Sequence, residues 1–452
     1  MREVNLELEG MNNRGYLIKL TIPIFVELLL QMLVGNIDQF MISRYSQISV
    51  AAIGNSNQII NLLTIAFSVL CTATVTLISQ YRGAQERAKE KTVYTVSIIT
   101  NLVISIAISL IIVLFNKQMF NIMNVPEEIL GEARVYITIT GGFIFLQAVF
   151  MTFSAFLRSN TLMREGMVIS IMVNFLNVIG NAILINGLFG FPALGITGVA
   201  ISTALSRLIG VIVIIYVFYK RVPIKLSFKH LRPFPLKQWK TLLSIGIPTG
   251  FESLSYSSSQ ICILSFINLF GTASINAKVY VSMFATISYI YAIAISSASQ
   301  VIVGRFMGAR RYEDTNKTVM YTVKTSVLVS LILSIVMYLL SDTLLGIFTT
   351  NQEIIALGKA ALFVDIFLEM GRAVNIVLVR ALQTAGDIKF PIMLTVFFAW
   401  TVAVGGGYIL GVNFEMGLVG IWIAMASDEI IRAFIFYYRW QTGKWKSKNL
   451  ID

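Results

Sequence analysis

Twelve segments of this chain are mainly apolar and about 20 or more residues long, the length a helix needs to cross the hydrocarbon core of a bilayer. They lie at 16–43, 50–80, 92–114, 132–157, 165–188, 195–219, 241–269, 277–304, 317–340, 355–383, 390–411 and 417–438. Only 13% of the residues are charged, about half of the roughly 25% that soluble domains average. Within a bilayer, each segment must satisfy its own backbone polar groups. The sequence therefore predicts an all-α membrane protein with twelve transmembrane helices.

Basic residues are concentrated in alternate loops. Runs of Lys and Arg follow the second, sixth, eighth and twelfth spans, whereas the loop after the third span holds Glu127, Glu128 and Glu132. The positive-inside rule then predicts that both termini are cytoplasmic, which agrees with an even number of spans. We expect a multi-pass protein of the cell membrane. Its first span should serve as an uncleaved insertion signal, because no apolar h-region precedes it.

The spans divide into two sets of six around a basic linker at 220–240, which predicts an N-lobe at 1–219 and a C-lobe at 241–452. Motifs recur in the second half at a nearly constant offset of 225 positions. They pair Pro23 and Glu27 with Pro248 and Glu252, Gly83-Ala84 with Gly308-Ala309, Leu157 with Leu382, and LGITG (Gly195, Gly198) with MGLVG (Gly417, Gly420). Repeats with an even number of spans share their orientation, so we expect two lobes around a central cavity.

Composition excludes several classes of protein. The formal net charge is +12, but the bases lie between spans and form no separate basic domain, so we expect no nucleic-acid partner. The two cysteines, Cys71 and Cys262, lie inside apolar spans, which excludes a disulfide framework. The single histidine, His230, excludes a histidine-based metal centre or triad. We therefore predict a protein that is not an enzyme and carries no cofactor.

Ionisable residues inside the spans are the first functional candidates, because a charge at bilayer depth costs a few kcal/mol or more and usually faces protein or water. Asp38 lies in the middle of the first span. In the fifth span stand Asn174, Asn177 and Asn181, of which the last two share a helix face. Carboxylate and amide oxygens can hold Na⁺, and a carboxylate can instead carry a proton. The asparagines could equally bond neighbouring helices.

The seventh span carries Glu252 four residues after Pro248, where the proline frees a backbone carbonyl. Its repeat mate Glu27 lies nearer a span end, where a carboxylate can snorkel to water. Both are candidates for binding a positive charge.

The tenth span holds Asp365, Glu369 and Arg372, spaced by four and then three residues. A Glu369–Arg372 ion pair would leave Asp365 free to change protonation. Further along, Arg380 and Asp387 are expected to be solvated. In the twelfth span, Asp428, Glu429 and Arg432 form either a packing network or a solvated end. Across all spans carboxylates outnumber bases, which suits a cavity that holds cations.

Taken together, these features resemble the multidrug and toxic compound extrusion (MATE) family over essentially the whole chain. The resemblance rests on the paired six-span repeats, the prolines of spans 1 and 7, the span-1 Asp, the span-5 asparagines, LGITG, and ALQTAGDIKFP after span 10. ALQTAGD is similar to the family's LRGxGD-type loop, and LRSNT after span 4 is similar to its N-half copy. The resemblance implies a secondary antiporter that expels cationic, amphipathic compounds against Na⁺ or H⁺, and we expect a monomer.

The resemblance also implies site residues. Asp38, Asn177 and Asn181 match the Asp–Asn–Asn cation site of the bacterial NorM-like branch, a candidate Na⁺ site. Glu252 is similar to the family's span-7 Glu, which some members carry where Tyr256 stands here. The family's span-10 acid falls at Arg372, so Asp365 and Glu369, one to two turns earlier, are the available carboxylates.

Two rival functions remain. A lipid-linked precursor flippase of the same superfamily would need a basic cavity, which the excess of intramembrane acids disfavours. A membrane enzyme would need clustered His, Cys or paired acids at an interface, and only one His is present.

Overall fold

The computed structural model describes residues 8–43, 45–224, 226, 232–448 and 450–451, with the side chains of 33–40 outside the described set. Its long helices are α1 (Arg14–Ser43), α2 (Gln47–Gly83), α3 (Arg87–Ile122), α4 (Glu127–Gly142), α5 (Ile144–Ser159), α6 (Met163–Asn186), α7 (Gly195–Arg221), α8 (Leu236–Ile267), α9 (Thr272–Gly308), α10 (Tyr312–Leu339), α12 (Gln352–Ala385), α13 (Lys389–Phe398) and α14 (Gly417–Gln441), with a short α11 (Ser341–Gly346). The α13 helix continues through π-helical turns at Ala399–Gly405 and Tyr408–Asn413.

The twelve predicted spans are confirmed, and their composition separates them into two groups. By length and apolar composition alone, eight of the described helices can cross a membrane, or nine when α4 and α5, which bend by 42° around Phe143, count as one span. The other three are α8, which is rich in serine, and α12 and α14, which carry several charged residues. These three polar helices carry most of the candidate site.

The chain divides into two compact units of packed helices. One comprises Met1–Phe25, Gly83–Gln85 and Ile247–Asp452, and the other comprises Val26–Arg82 and Glu86–Gly246. The division passes through α1 just after Pro23, where the missing N–H interrupts the helix hydrogen bonds. The start of α1 therefore groups with the second half of the chain. There, the Phe25 ring packs edge-on against that of Tyr291 at 5.9 Å between centroids.

The internal repeat is visible in the backbone and in buried side chains. Thr161 (φ 61°) and Gly386 (φ 100°), 225 positions apart, both adopt left-handed φ after the fourth and tenth spans. The Thr74 hydroxyl bonds that of Ser97 at 2.9 Å, and Thr322 bonds Ser299 at 3.1 Å, again at an offset of 225. Equivalent turns and equivalent buried contacts show that the two halves are copies of one six-span fold.

The repeated glycine motifs have a packing reason. A Cβ on Gly198 would lie 2.6 Å from the Leu184 carbonyl oxygen, and one on Gly420 would lie 2.8 Å from that of Leu410. The last helix of each half therefore approaches the backbone of the preceding one too closely for any side chain. The first glycine of each motif also has a left-handed φ, Gly195 at 52° and Gly417 at 57°.

Candidate functional site

A cavity of about 640 Å³ lies among α8, α9, α12, α13 and α14. All of these helices belong to the unit that contains Ile247–Asp452. The charged residues that line the cavity are Glu252, Lys278, Asp365, Arg372, Arg380, Glu429 and Arg432. The cavity thus has charged residues of spans 7, 8, 10 and 12 on its wall, while Glu369 and Asp428 are outside its lining.

The span-10 pair predicted from the sequence is present. Arg372 Nη1 bonds Glu369 Oε1, and the Glu369 side chain is fully buried. The guanidinium also lies 5.0 Å from the centroid of the Tyr289 ring and 3.8 Å from Glu429 Oε1. Two carboxylates and an aromatic face therefore hold Arg372, and the charge of Glu369 is compensated within this pair.

The span-12 charges form a buried network rather than a solvated end. Arg432 Nη2 lies 2.5 Å from Asp428 Oδ2 and 3.0 Å from Glu429 Oε1. From α12, Asn375 Nδ2 donates to Glu429 Oε2 at 2.6 Å. These contacts tie α14 to α12 through charged and amide groups, so both arginines of the cluster are neutralised by neighbouring acids.

Two carboxylates on the cavity wall have neutral partners instead. Trp422 Nε1 donates to Asp365 Oδ1 at 3.3 Å, and Gln383 Nε2 donates to Glu252 Oε2 at 3.0 Å. Asp365 is only 2% exposed, so its charge is largely removed from solvent. Among the described ion pairs neither carboxylate is paired with a base, which sets them apart from Glu369, Asp428 and Glu429.

Two bases on the same wall were not among the sequence candidates. Arg380, expected to be solvated, instead lines the cavity and donates to the Ser297 hydroxyl of α9. Lys278, near the start of α9, also lines it. The expected excess of acids therefore does not hold for this wall, which carries three carboxylates and four bases. The other residue expected to be solvated, Asp387, is buried and bonds Arg439 at 2.8 Å.

Glu27 occupies a comparable environment in the first half of the chain. It is 8% exposed and accepts a hydrogen bond from the Ser170 hydroxyl at 2.9 Å, so it is buried rather than snorkelling. Position 170 corresponds, at the offset of 225, to Thr395, which lines the cavity beside Glu252. Each repeat thus has a hydroxyl residue at this position, and in the first half it bonds the glutamate of the proline-containing helix.

The asparagines of span 5 lie on α6. Asn181 is fully buried, Asn177 is 7% exposed, and Asn174 is half-buried. Asn177 Nδ2 donates to Thr203 Oγ1 of α7 at 3.2 Å, which shows that this amide bonds a neighbouring helix. The predicted third member of this site, Asp38, lies on α1, but its side chain is outside the described residues.

Sequence reasoning missed the residues that engage the predicted ones. Asn375, Gln383 and Trp422 are uncharged, so a search for intramembrane charges passes over them. Lys278 is one of few ionisable residues in the eighth span, and its isolation was an available signal. Tyr256, the position to which the resemblance assigns the span-7 acid of some family members, lines the cavity.

Comparison with known proteins agrees with this architecture. The MatE family model matches residues 23–183 and again 248–409, so each match begins at the repeated proline. An uncharacterized transporter, YisQ, of Bacillus subtilis is 36% identical over 96% of this chain and 95% of its own. A probable multidrug resistance protein NorM of Thermotoga maritima is 28% identical over 97% of this chain and 94% of its own.

Solved structures share the fold. A Vibrio cholerae MATE transporter, VcmN in its bent form, superposes with a TM-score of 0.89 at 19% identity, covering 98% of this chain and 99% of the other. The two family matches together cover well over half of the sequence. This chain is therefore a multi-span membrane protein of the MATE family and a NorM-like transporter.

Proposed function

We propose that this chain is a secondary active exporter that antiports cationic, amphipathic compounds against Na⁺ or H⁺ across the cell membrane. It would work as a monomer with both termini cytoplasmic, by rocking alternating access. Family membership and the multidrug resistance names of several relatives support export of small molecules. The cavity among α8, α9, α12, α13 and α14 supports a substrate site of drug size, since ligand pockets commonly measure about 300–1,000 Å³.

The observation that carries the proposal is the different pairing of the cavity's charges. Asp365 and Glu252 accept only neutral donors among the contacts described, while Arg372 and Arg432 are held by Glu369, Glu429 and Asp428. A cationic substrate that bonds to Asp365 or Glu252 therefore compensates a charge without breaking an existing ion pair. Breaking such a buried pair would cost several kcal/mol.

The bases on the cavity wall refine the substrate class. Lys278 and Arg380 share the lining with Asp365 and Glu252. A compound with one positive charge and an apolar body can approach the carboxylates and keep its distance from the bases. A dication brings a second charge into the field of Lys278 and Arg380 at low dielectric, where repulsion is strong. We expect monocations to be exported in preference to dications of similar size.

The coupling ion is assigned to Asp38, Asn177 and Asn181, where a carboxylate and two amide oxygens suit Na⁺, and the carboxylate alone suits H⁺. Coupling requires that the ion and the substrate differ in their affinity for the two conformations. Binding of the ion in the outward-facing state must weaken substrate binding by the same factor as the substrate weakens ion binding. Asp38 is the residue on which this reciprocity depends.

The test is export of a fluorescent monocationic dye from proteoliposomes under an imposed Na⁺ or H⁺ gradient. Asp38→Asn is expected to abolish gradient-driven export, and Asp365→Asn to weaken dye binding about tenfold or more. Asp342→Asn is the matched control, because Asp342 is an exposed acid paired only with Lys359 in the described structure. Export by Asp38→Asn at the wild-type rate would overturn the mechanism.

The same assay distinguishes an exporter from both rival functions. A flippase for lipid-linked precursors is not favoured, because curated relatives along the whole chain bear multidrug resistance names. A flippase would leave the dye gradient unchanged in every condition. A membrane enzyme would give no gradient-dependent flux at all.

A further inference from the structure

A second cavity, of about 780 Å³, has two walls. One is formed by the first residues of α1 and those just before them, and the other by one face of α10. We call it the basic pocket, and define it by Arg14, Lys317, Tyr321, Lys324 and Leu328. It shares no lining residue with the cavity described above. All of its residues belong to the unit that contains Ile247–Asp452.

The basic pocket presents three cations. Lys317 and Lys324 stand two helical turns apart on α10, and the Arg14 guanidinium lies 5.2 Å from the centroid of the Tyr321 ring between them. No acidic residue is among the described residues that line it. The neighbouring Asp314 is engaged elsewhere, since it accepts from Arg311 at 2.6 Å and from Asn12 at 2.9 Å. Within the described lining, the three cations therefore have no acid to offset their charge.

The same face of α10 continues into apolar, exposed residues. Lys317, Tyr321, Lys324 and Leu328 follow one another at spacings of four, three and four, which keeps them on one stripe. Leu328 is 57% exposed, and Ile332, one turn further on, is 51% exposed. On a membrane-spanning helix such residues face hydrocarbon. The stripe thus runs from cations at the membrane surface directly to a lipid-facing apolar surface.

From this arrangement we propose that the basic pocket binds the headgroup of an anionic phospholipid, with the phosphate at Lys317 and Lys324 and the acyl chains along Leu328 and Ile332. The two lysines are about 10 Å apart along the axis, at 1.5 Å per residue, which is the scale of a glycerophosphate headgroup. A zwitterionic phospholipid brings the same phosphate, but its ammonium group would meet three cations. Basic pockets at the ends of spanning helices bind anionic headgroups for this reason.

The proposal is tested on the full-length protein, purified in detergent and stripped of lipid, by native mass spectrometry. Phosphatidylglycerol, phosphatidylcholine with the same acyl chains, and inorganic phosphate are titrated separately. We expect phosphatidylglycerol to bind most tightly. The K317Q/K324Q variant should lose about 25-fold in affinity for it, because each cation near an anionic headgroup contributes about fivefold. Raising the salt concentration should reduce the difference in phosphatidylglycerol affinity between the wild type and K317Q/K324Q.

Two variants control for folding and for total charge. K317R/K324R keeps both cations and should retain the phosphatidylglycerol. K444Q/K448Q removes the same number of positive charges and should also retain the lipid. These lysines lie at the same end of the bundle as Lys317, because Trp440 near the end of α14 donates to Asn316 near the start of α10 at 2.8 Å. Equal affinity of wild type and K317Q/K324Q for phosphatidylglycerol would overturn the proposal. So would equal binding of phosphatidylcholine, or equally tight binding of inorganic phosphate, which would assign the pocket to the free anion.

Discussion

Arg372 and Glu369 form an ion pair one turn apart on α12, with side-chain exposures of 14% and 0%. The resemblance to the MATE family leads us to expect an acid at the position of Arg372, where this chain carries a base. That positive charge is compensated on the same helix and by Glu429 of α14 at 3.8 Å. The carboxylate left without a base is Asp365, two turns before the expected position.

Removing Arg372 should therefore destabilise the protein more than removing the whole pair. Arg372→Met leaves the fully buried Glu369 without its base, which we expect to cost about 3–5 kcal/mol. Arg372→Met combined with Glu369→Gln removes both charges of the pair, and Glu429 keeps Arg432 as its base at 3.0 Å, so the double variant should recover at least half of that loss. The measurement is the midpoint of thermal unfolding in detergent for the two variants. A double variant less stable than Arg372→Met would contradict this account.

The twelve spans, the two halves and the site-bearing helices could be predicted because each follows from a local pattern. A run of apolar residues specifies a span wherever it packs, and a repeated proline or glycine at one offset specifies a duplication. The Glu369–Arg372 pair was equally predictable, since residues three apart on a helix are neighbours. Whether this pair forms does not depend on how the helix packs against the rest of the chain.

Contacts between helices distant in sequence were not predictable in this way. Asn375 meets Glu429 across 54 positions, and Gln383 meets Glu252 across 131. Which helix faces overlap is decided by packing, so a neutral amide gives no sign in the sequence that it will bond a carboxylate. The same reason explains Arg380, whose position near a span end suggested solvent although its side chain lines the cavity.

The approach of α12 to α14 depends on Gly371. A Cβ at this position would lie 2.7 Å from the Glu429 carbonyl carbon and 2.8 Å from the Ile430 nitrogen, which are backbone atoms that cannot give way cheaply. Gly371→Ala should therefore force the helices apart, with a loss of about 1–3 kcal/mol and reduced dye export. Gly131→Ala is the control. Apart from the backbone of its own helix and its chain neighbours, no described atom lies within 4 Å of its added methyl, and this helix-interior change should stabilise by about 0.5–1 kcal/mol.

The turns after the fourth and tenth spans predict effects of opposite sign for two repeat-related substitutions. Gly386→Ala puts a side chain at φ 100°, with Leu450 Cγ 3.2 Å from the new Cβ, and should cost about 1–2 kcal/mol. Thr161→Gly removes a β-branched residue from φ 61° and should stabilise by up to about 1 kcal/mol. Thermal unfolding in detergent measures both. Changes of the same sign would show that the two turns are not equivalent.

Gln383 should act on transport through Glu252 rather than by contact with the ions. Gln383→Leu removes the 3.0 Å hydrogen bond to the Glu252 carboxylate. Because this bond orients the Glu252 carboxylate on the cavity wall, its loss should raise the apparent KM for a monocationic dye about tenfold, which corresponds to about 1.4 kcal/mol. Gln441→Leu, at an exposed glutamine of α14, is the control and should leave the KM unchanged. In the Glu252→Gln background, Gln383→Leu should have little further effect, because the two residues share one interaction. A further tenfold loss there would mean that Gln383 acts independently of Glu252.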